Sequence, residues 1–340
     1  MPITKWILPE GVEDILPEQA YWLEMKRREV IDTFFFYGYG LVIPPLIEYS
    51  DSFLGNISED LNLQTFKFID QETGKQLSLR ADITAQISRI NSTYNSKDKI
   101  SRYCYFDNVV RAKNNELKKS RIPIQAGAEL IGNPDINNDA EVVSLMLDVV
   151  KKFTRKKIFL DIGHVGILKK LIEFANLEKE QEKKVKKLIR SKSSSEIKEY
   201  LKTLDIDNNL RECLGDFPKM HGSIEKIKIH IQQLKYFNKD IENDINYIIN
   251  LCKIVGDTHK DVFIKYDFCE LQGFDYENDI IFCTYIENIS EEVALGGKYD
   301  FESKHGIGFS VDVRYLLKNQ VYKKILENKS GKWVAKDAYD

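Results

Sequence analysis

A block from His164 to about Gly256 differs in character from everything around it. It is rich in Lys, Glu, Ile and Leu and poor in Gly and Pro. Segments such as EKEQEKKVKKLIRSK (178–192) and DIENDINYIINLCKIV (240–255) place apolar residues at helical spacing. Strand-like patterns stand on both sides of this block. Such a chain has to build one sheet from two separated stretches, with a helical module of small-domain size lodged between them. The reading is an α+β fold with a core of residues 1–163 and 257–317, a helical insertion of residues 164–256 and a C-terminal tail of residues 318–340.

Within the first stretch, residues 17–37 read as a helix ended by Gly38 and Gly40. A short strand at 41–43 runs into Pro44-Pro45, where a helix cannot continue. Strands at 64–70 and 75–79 flank a turn at Glu72-Thr73-Gly74, and residues 82–91 look helical. Strands at 102–110 and 123–131 enclose a polar loop, and a helix at 138–153 leads to a strand at 157–162. Beyond the insertion, strands are expected at 261–271, 280–286 and 293–295, with a last helix at 311–317.

Composition narrows the function. The formal net charge is -3 and the pI about 6.1, without the basic excess that nucleic-acid binders use against phosphates. The run Lys183–Lys187 (KKVKK) reads as a solvated helix face, given the glutamates before it. Five cysteines stand far apart with no CxxC pair, which suggests reduced, buried thiols and neither a disulfide framework nor a metal site. The start, MPITKWILPEG, lacks a signal-type apolar run, and no segment reaches the roughly 20 apolar residues of a membrane span. A cytoplasmic protein with no membrane association is expected. There is no phosphate-binding loop and no dinucleotide fingerprint.

Six segments in fixed order carry the strongest signal: LPEGVEDILPEQA (8–20), DLNLQTFKFIDQETGK (60–75), LRADITAQISRI (79–90), SRIPIQAGAELIG (120–132), ALGGKYD (294–300) and GIGFSVDVRYLL (306–317). Together they resemble the catalytic core of class II aminoacyl-tRNA synthetases of the histidyl type. They are more closely similar to its paralogue, the regulatory subunit of ATP phosphoribosyltransferase. The resemblance spans about residues 6–317. It implies a six-stranded antiparallel sheet flanked by helices and a homodimer formed near Pro44-Pro45.

The resemblance also implies a histidine site at Asp82, Thr84, Gln125, Glu129 and Tyr276. The chemistry suits it, because a zwitterion with an imidazole needs carboxylates facing its ammonium and its ring N–H. On a strand, Gln125, Gly127 and Glu129 share one face, and Gly127 is expected to leave room for a ligand. A buried polar network that merely holds the sheet together is the alternative for these residues. The synthetase segment R-G-L-D-Y-Y reads Gln272-Gly273-Phe274-Asp275-Tyr276-Glu277 here, keeping one tyrosine and losing the arginine.

The second implied site, for ATP, departs from the pattern. Arg111 keeps the first position of the motif-2 pair, but Lys113 replaces the glutamate that reads adenine, and Tyr315 replaces the arginine of the last helix. Arg111, Lys119 and Arg121 are left as an anion- or nucleotide-binding remnant. Nucleotide chemistry depends on fixed cations around developing negative charge. No catalytic residue and no cofactor is therefore expected. About 23 residues follow Leu317, too few for the anticodon-binding domain of a synthetase. The expected function is a noncatalytic regulatory subunit in a hetero-oligomer with the short catalytic subunit of ATP phosphoribosyltransferase. L-histidine is its effector and tRNA is not a partner. A histidine-activating ligase and an orphan histidine-binding module are the competing readings.

Overall fold

The computed structural model describes residues 7–51, 59–94, 100–113, 120–132, 135–269, 277–301, 304–319 and 326–335. In chain order the first elements are α1 (Pro17–Phe36), β1 (Gly40–Leu41), β2 (Ile47–Tyr49), α2 (Glu59–Leu63), β3 (Lys67–Ile69), β4 (Gln76–Leu79), α3 (Thr84–Tyr94), β5 (Ser101–Asn108), β6 (Ile124–Ile131), α4 (Ile136–Lys151) and β7 (Ile158–His164). Then come α5 (Val165–Ala175), α6 (Lys179–Arg190), α7 (Ser194–Leu201), α8 (Asn208–Asp216), β8 (His221–Ser223), α9 (Ile231–Leu234) and α10 (Asp240–Thr258). The chain continues through β9 (Val262–Asp267), β10 (Glu277–Ile286), β11 (Ala294–Phe301), β12 (Lys304–Asp312), α11 (Val313–Asn319), β13 (Leu326–Lys329) and β14 (Lys332–Ala335).

The central sheet has nine strands in the order β1-β5-β6-β12-β11-β10-β7-β9-β8. From β5 to β7 every adjacent pair is antiparallel, which makes the expected six-stranded antiparallel core. Parallel β1 and β9 extend it at either side, and β8 pairs with β9. A separate small sheet, β2-β4-β3, carries the expected hairpin, with Gly74 at φ 70° in its turn.

One face of the large sheet is covered by helices. Helix α4 starts at Asp135, whose carboxylate accepts from the Asn137 N–H at 3.0 Å and so satisfies an end group that has no helical partner. Its buried residues, including Val142, Val143, Leu145, Met146, Leu147, Val149 and Val150, run nearly all round it, as befits a helix enclosed by protein. The segment 164–256 supplies helices α5 to α10. Its apolar side chains, Val185, Ile189, Ile241 and Ile245 among them, belong to the same core cluster as Leu160 and Phe282 of the sheet. It also donates β8 to the sheet edge. On α6, Val185 and Ile189 are buried while Lys183, Lys184 and Lys187 are exposed.

Two expectations need correction. The last strand was expected to stop at Leu295 and the final helix to begin at Val311, but β11 runs to Phe301 and is followed by a full strand, β12. Glycines 296, 297, 306 and 308 hide these strands from a propensity-based reading. The stretch after 318, read as a tail, contains the β13–β14 hairpin. Its turn residues Ser330 and Gly331 both have positive φ, 53° and 81°, the geometry of a tight two-residue hairpin turn. Among the described residues no helix is long and apolar enough to cross a membrane, and all five cysteines are buried and outside any disulfide.

Phe282 of β10 is fully buried between sheet and helices. Phe282→Ala should cost about 3–5 kcal/mol of stability in urea unfolding. A loss below about 1 kcal/mol would contradict a shared core across sheet and helices.

Candidate functional site

The site lies on the sheet face opposite α4. Arg80, 3% exposed, fixes the loop that leads to it. Its guanidinium donates to the carbonyls of Asn108 (2.7 Å) and Pro44 (2.8 Å) and pairs with Asp107 at 2.7 Å. Two residues on, Asp82 accepts from the Thr84 N–H at 2.8 Å, at the start of α3, where backbone donors are otherwise unpaired. The other Asp82 oxygen accepts from Gln125 Nε2 at 3.0 Å. Gln125 is 4% exposed, and its Oε1 is buried with no hydrogen-bond partner. An unsatisfied buried acceptor is costly unless a donor arrives.

Two residues along β6 from Gly127, Glu129 is 1% exposed. Thr84 Oγ1 donates to its Oε1 at 2.8 Å and the Tyr299 hydroxyl to its Oε2 at 2.8 Å. The Tyr105 hydroxyl lies 3.4 Å from Oε1. Burial pushes the carboxyl up to about 8, against the pull of the Thr84 and Tyr299 hydroxyls. Gly308, the cross-strand neighbour of Glu129 on β12, makes this placement possible. A Cβ there would stand 1.7 Å from Glu129 Oε2.

The structure thus brings together Asp82, Thr84, Gln125 and Glu129. Tyr276 and Gln272 lie outside the described residues. Gly127 does not leave open space for a ligand: a Cβ at that position would meet the Tyr105 ring at 2.4 Å, so the ring occupies the gap. Tyr105 and Tyr299 are site residues that the sequence reading missed. Tyr299 was within reach, since it lies in ALGGKYD and alternation along β11 puts it on the face of Gly297, opposite Gly306 and Gly308.

At the second set, Arg111 and Arg121 sit side by side. The Arg111 N–H donates to the Arg121 carbonyl at 2.8 Å, and Arg121 Nε donates to the Arg111 carbonyl at 3.2 Å. The Arg121 guanidinium covers the Phe66 ring at 4.9 Å. Arg111 Nε is buried without a hydrogen-bond partner. Lys113 is exposed, and Lys119 lies outside the described residues. In α11 Tyr315 is buried, and Arg314 is turned to Glu13, donating to its carbonyl at 2.7 Å. Among the described residues no group of three or more His, Cys, Asp or Glu is disposed to hold a metal.

The histidyl-tRNA synthetase family model matches residues 11–316. The ATP phosphoribosyltransferase regulatory subunit of Methylococcus capsulatus is 37% identical over 323 residues, spanning 92% of this chain and 79% of that protein. That of Thiobacillus denitrificans is 34% identical over 321 residues, spanning 93% of this chain and 98% of that protein. The chain belongs to the histidyl-tRNA synthetase-like family of ATP phosphoribosyltransferase regulatory subunits. Solved structures agree on the fold. A regulatory subunit/histidyl-tRNA synthetase of Bacillus halodurans superposes with a TM-score of 0.82 at 23% identity, covering 94% of this chain and 83% of that one. A chain of the ATP phosphoribosyl transferase complex of Thermotoga maritima gives 0.66 at 19%, covering 88% and 98%.

The raised Glu129 carboxyl ties stability to pH. An exposed glutamate ionises near 4.3, so between that value and about 8 the folded chain holds a proton that the unfolded chain has lost. This contribution is complete below about pH 4.3 and is lost as pH rises through the folded value. Ligand-free chain should therefore lose stability in urea between about pH 5 and pH 8.5 with a slope that Glu129→Gln lacks. Parallel profiles for the two proteins would contradict the buried, protonated acid.

Proposed function

We propose that this chain is the noncatalytic regulatory subunit of an ATP phosphoribosyltransferase. It would work with a short-form catalytic subunit at the first step of histidine biosynthesis and bind free histidine at the Glu129 site. The observation that carries the reading is the unequal state of the two sites. The amino-acid cradle is complete in its described parts, with Asp82, Thr84, Gln125 and Glu129 converging and Gln125 Oε1 waiting for a donor. The nucleotide positions hold Lys113 and Tyr315 instead, and the neighbouring Arg314 is occupied by Glu13.

A ligand ammonium satisfies Gln125 Oε1 and faces Asp82. An imidazole N–H supplies the donor that an ionised Glu129 needs in its dry setting. Relatives covering over 90% of this chain are named regulatory subunits of ATP phosphoribosyltransferase, which supports the catalytic subunit as partner. A homodimer through the Pro44-Pro45 region is supported by exposed apolar side chains there: Ile43, Leu46, Ile47 and Tyr49.

Calorimetric titration tests the ligand. Histidine should bind, and Glu129→Gln should weaken binding by about 1.5–3 kcal/mol, the worth of a charged hydrogen bond. Equal affinity in both proteins would remove Glu129 from the ligand. Histidine-dependent pyrophosphate exchange tests the missing chemistry and should be absent. Turnover near the common enzyme value of about 10 s⁻¹ would make the chain a histidine-activating ligase instead.

A further inference from the structure

Two consecutive residues of β11 reach opposite faces of the sheet. Tyr299 holds Glu129 on the site face. Lys298, paired across β12 with Ile307, points into the helical layer and is 14% exposed. Its ammonium lies 2.6 Å from Asp139 of α4 and 3.0 Å from the Tyr247 hydroxyl of α10, over whose ring it sits at 4.6 Å. Asp139 is 1% exposed and also accepts from the Tyr247 hydroxyl. One lysine therefore joins the strand behind the site to two helices, one on each side of the insertion boundary.

A second carboxylate competes for the same cation. Asp279 lies 3.7 Å from the Lys298 ammonium. A register irregularity in β10 between Glu277 and Ile281 accompanies its placement there, the kind of break that re-aims a side chain. Asp279 also pairs with His164 at 2.8 Å, and His164 lies 3.9 Å from Asp244 of α10, itself paired with Lys170 of α5 at 2.5 Å. Beside these groups is a cavity of about 290 Å³, lined by Asp139, Asp279, Lys298 and Tyr299 among others. Close-packed interiors hold side chains in single positions. A cation shared by two carboxylates next to open space has room for a second arrangement, which is what a switching element requires.

We propose that Lys298 couples the Glu129 site to the helical layer. A ligand that draws the Glu129 carboxylate or the Tyr299 hydroxyl shifts β11, and Lys298 redistributes between Asp139 and Asp279, moving the start of α4 and the middle of α10. Lys298 is a positioning residue in this scheme and does not touch the ligand. The inference rests on the reading that histidine binds at Glu129.

Hydrogen–deuterium exchange of the full chain, with and without saturating histidine, tests it alongside calorimetry. In the natural protein, histidine should change exchange over residues 136–142 and 244–250 by about tenfold, a size typical of coupling between sites. In Lys298→Met, histidine should bind within about threefold of the natural affinity while the exchange change falls below about twofold, and Lys298→Arg should restore part of it. If leaving Asp139 unpaired prevents folding, Asp139→Asn combined with Lys298→Met removes both buried charges and should give the same loss. Histidine binding with no exchange change in the natural protein overturns the proposal, and so does a full change in Lys298→Met. Absence of histidine binding in calorimetry overturns the site reading itself, and the coupling with it.

Discussion

A carboxyl group in the middle of a sheet sets the terms for this protein. Glu129 is nearly inaccessible, and an ionised carboxylate there would lose several kcal/mol of hydration. Its oxygens are instead met by hydroxyls from three separate parts of the chain: Thr84 at the start of α3, Tyr105 on β5 and Tyr299 on β11. Gly308 on β12 has no side chain because Glu129 fills that space. Residues 84, 105, 129, 299 and 308 meet only if β5, β6, β12 and β11 lie side by side in that order. The strand order and the site are the same requirement seen at two scales.

That requirement also divides what the sequence discloses from what it hides. Elements with an internal period or a clear stop signal were legible: α1, ended by Gly38 and Gly40, α4, β5 and β6, and the helical character of residues 164–256. The Q-x-G-x-E alternation on β6 by itself places Gln125 and Glu129 on one face. Features set by neighbours across the sheet were not. Strand β12 looks unlike a strand because its glycines answer to side chains on β6 and β11. Gly127 seemed to mark ligand space, whereas it accommodates the Tyr105 ring from β5. Tyr299 lies in the segment ALGGKYD, but only its position two strands from Glu129 explains its role.

The balance between the two sites gives the functional account its shape. A synthetase core needs both an amino-acid cradle and a charged nucleotide cradle. In the proposed reading the first corresponds to Asp82, Thr84, Gln125 and Glu129, and Lys113 and Tyr315 stand at positions of the second. A protein that binds an amino acid without activating it can still act through population shift, provided the ligand favours one assembly state over another. Any such effect is reciprocal, so substrates of the partner must alter histidine affinity by the same factor. The helices of residues 164–256 share a core with the sheet face turned away from the site, and the proposed coupling through Lys298 is what would link the two faces.

The most direct measurement is to mix the purified chain with a short-form ATP phosphoribosyltransferase catalytic subunit, follow sedimentation, and assay phosphoribosyl transfer with and without histidine. The account predicts that the two chains co-sediment at micromolar concentration and that transfer by the mixture differs from transfer by the catalytic subunit alone and responds to histidine. Chains that sediment separately, with transfer unaffected by the presence of this protein, would contradict it.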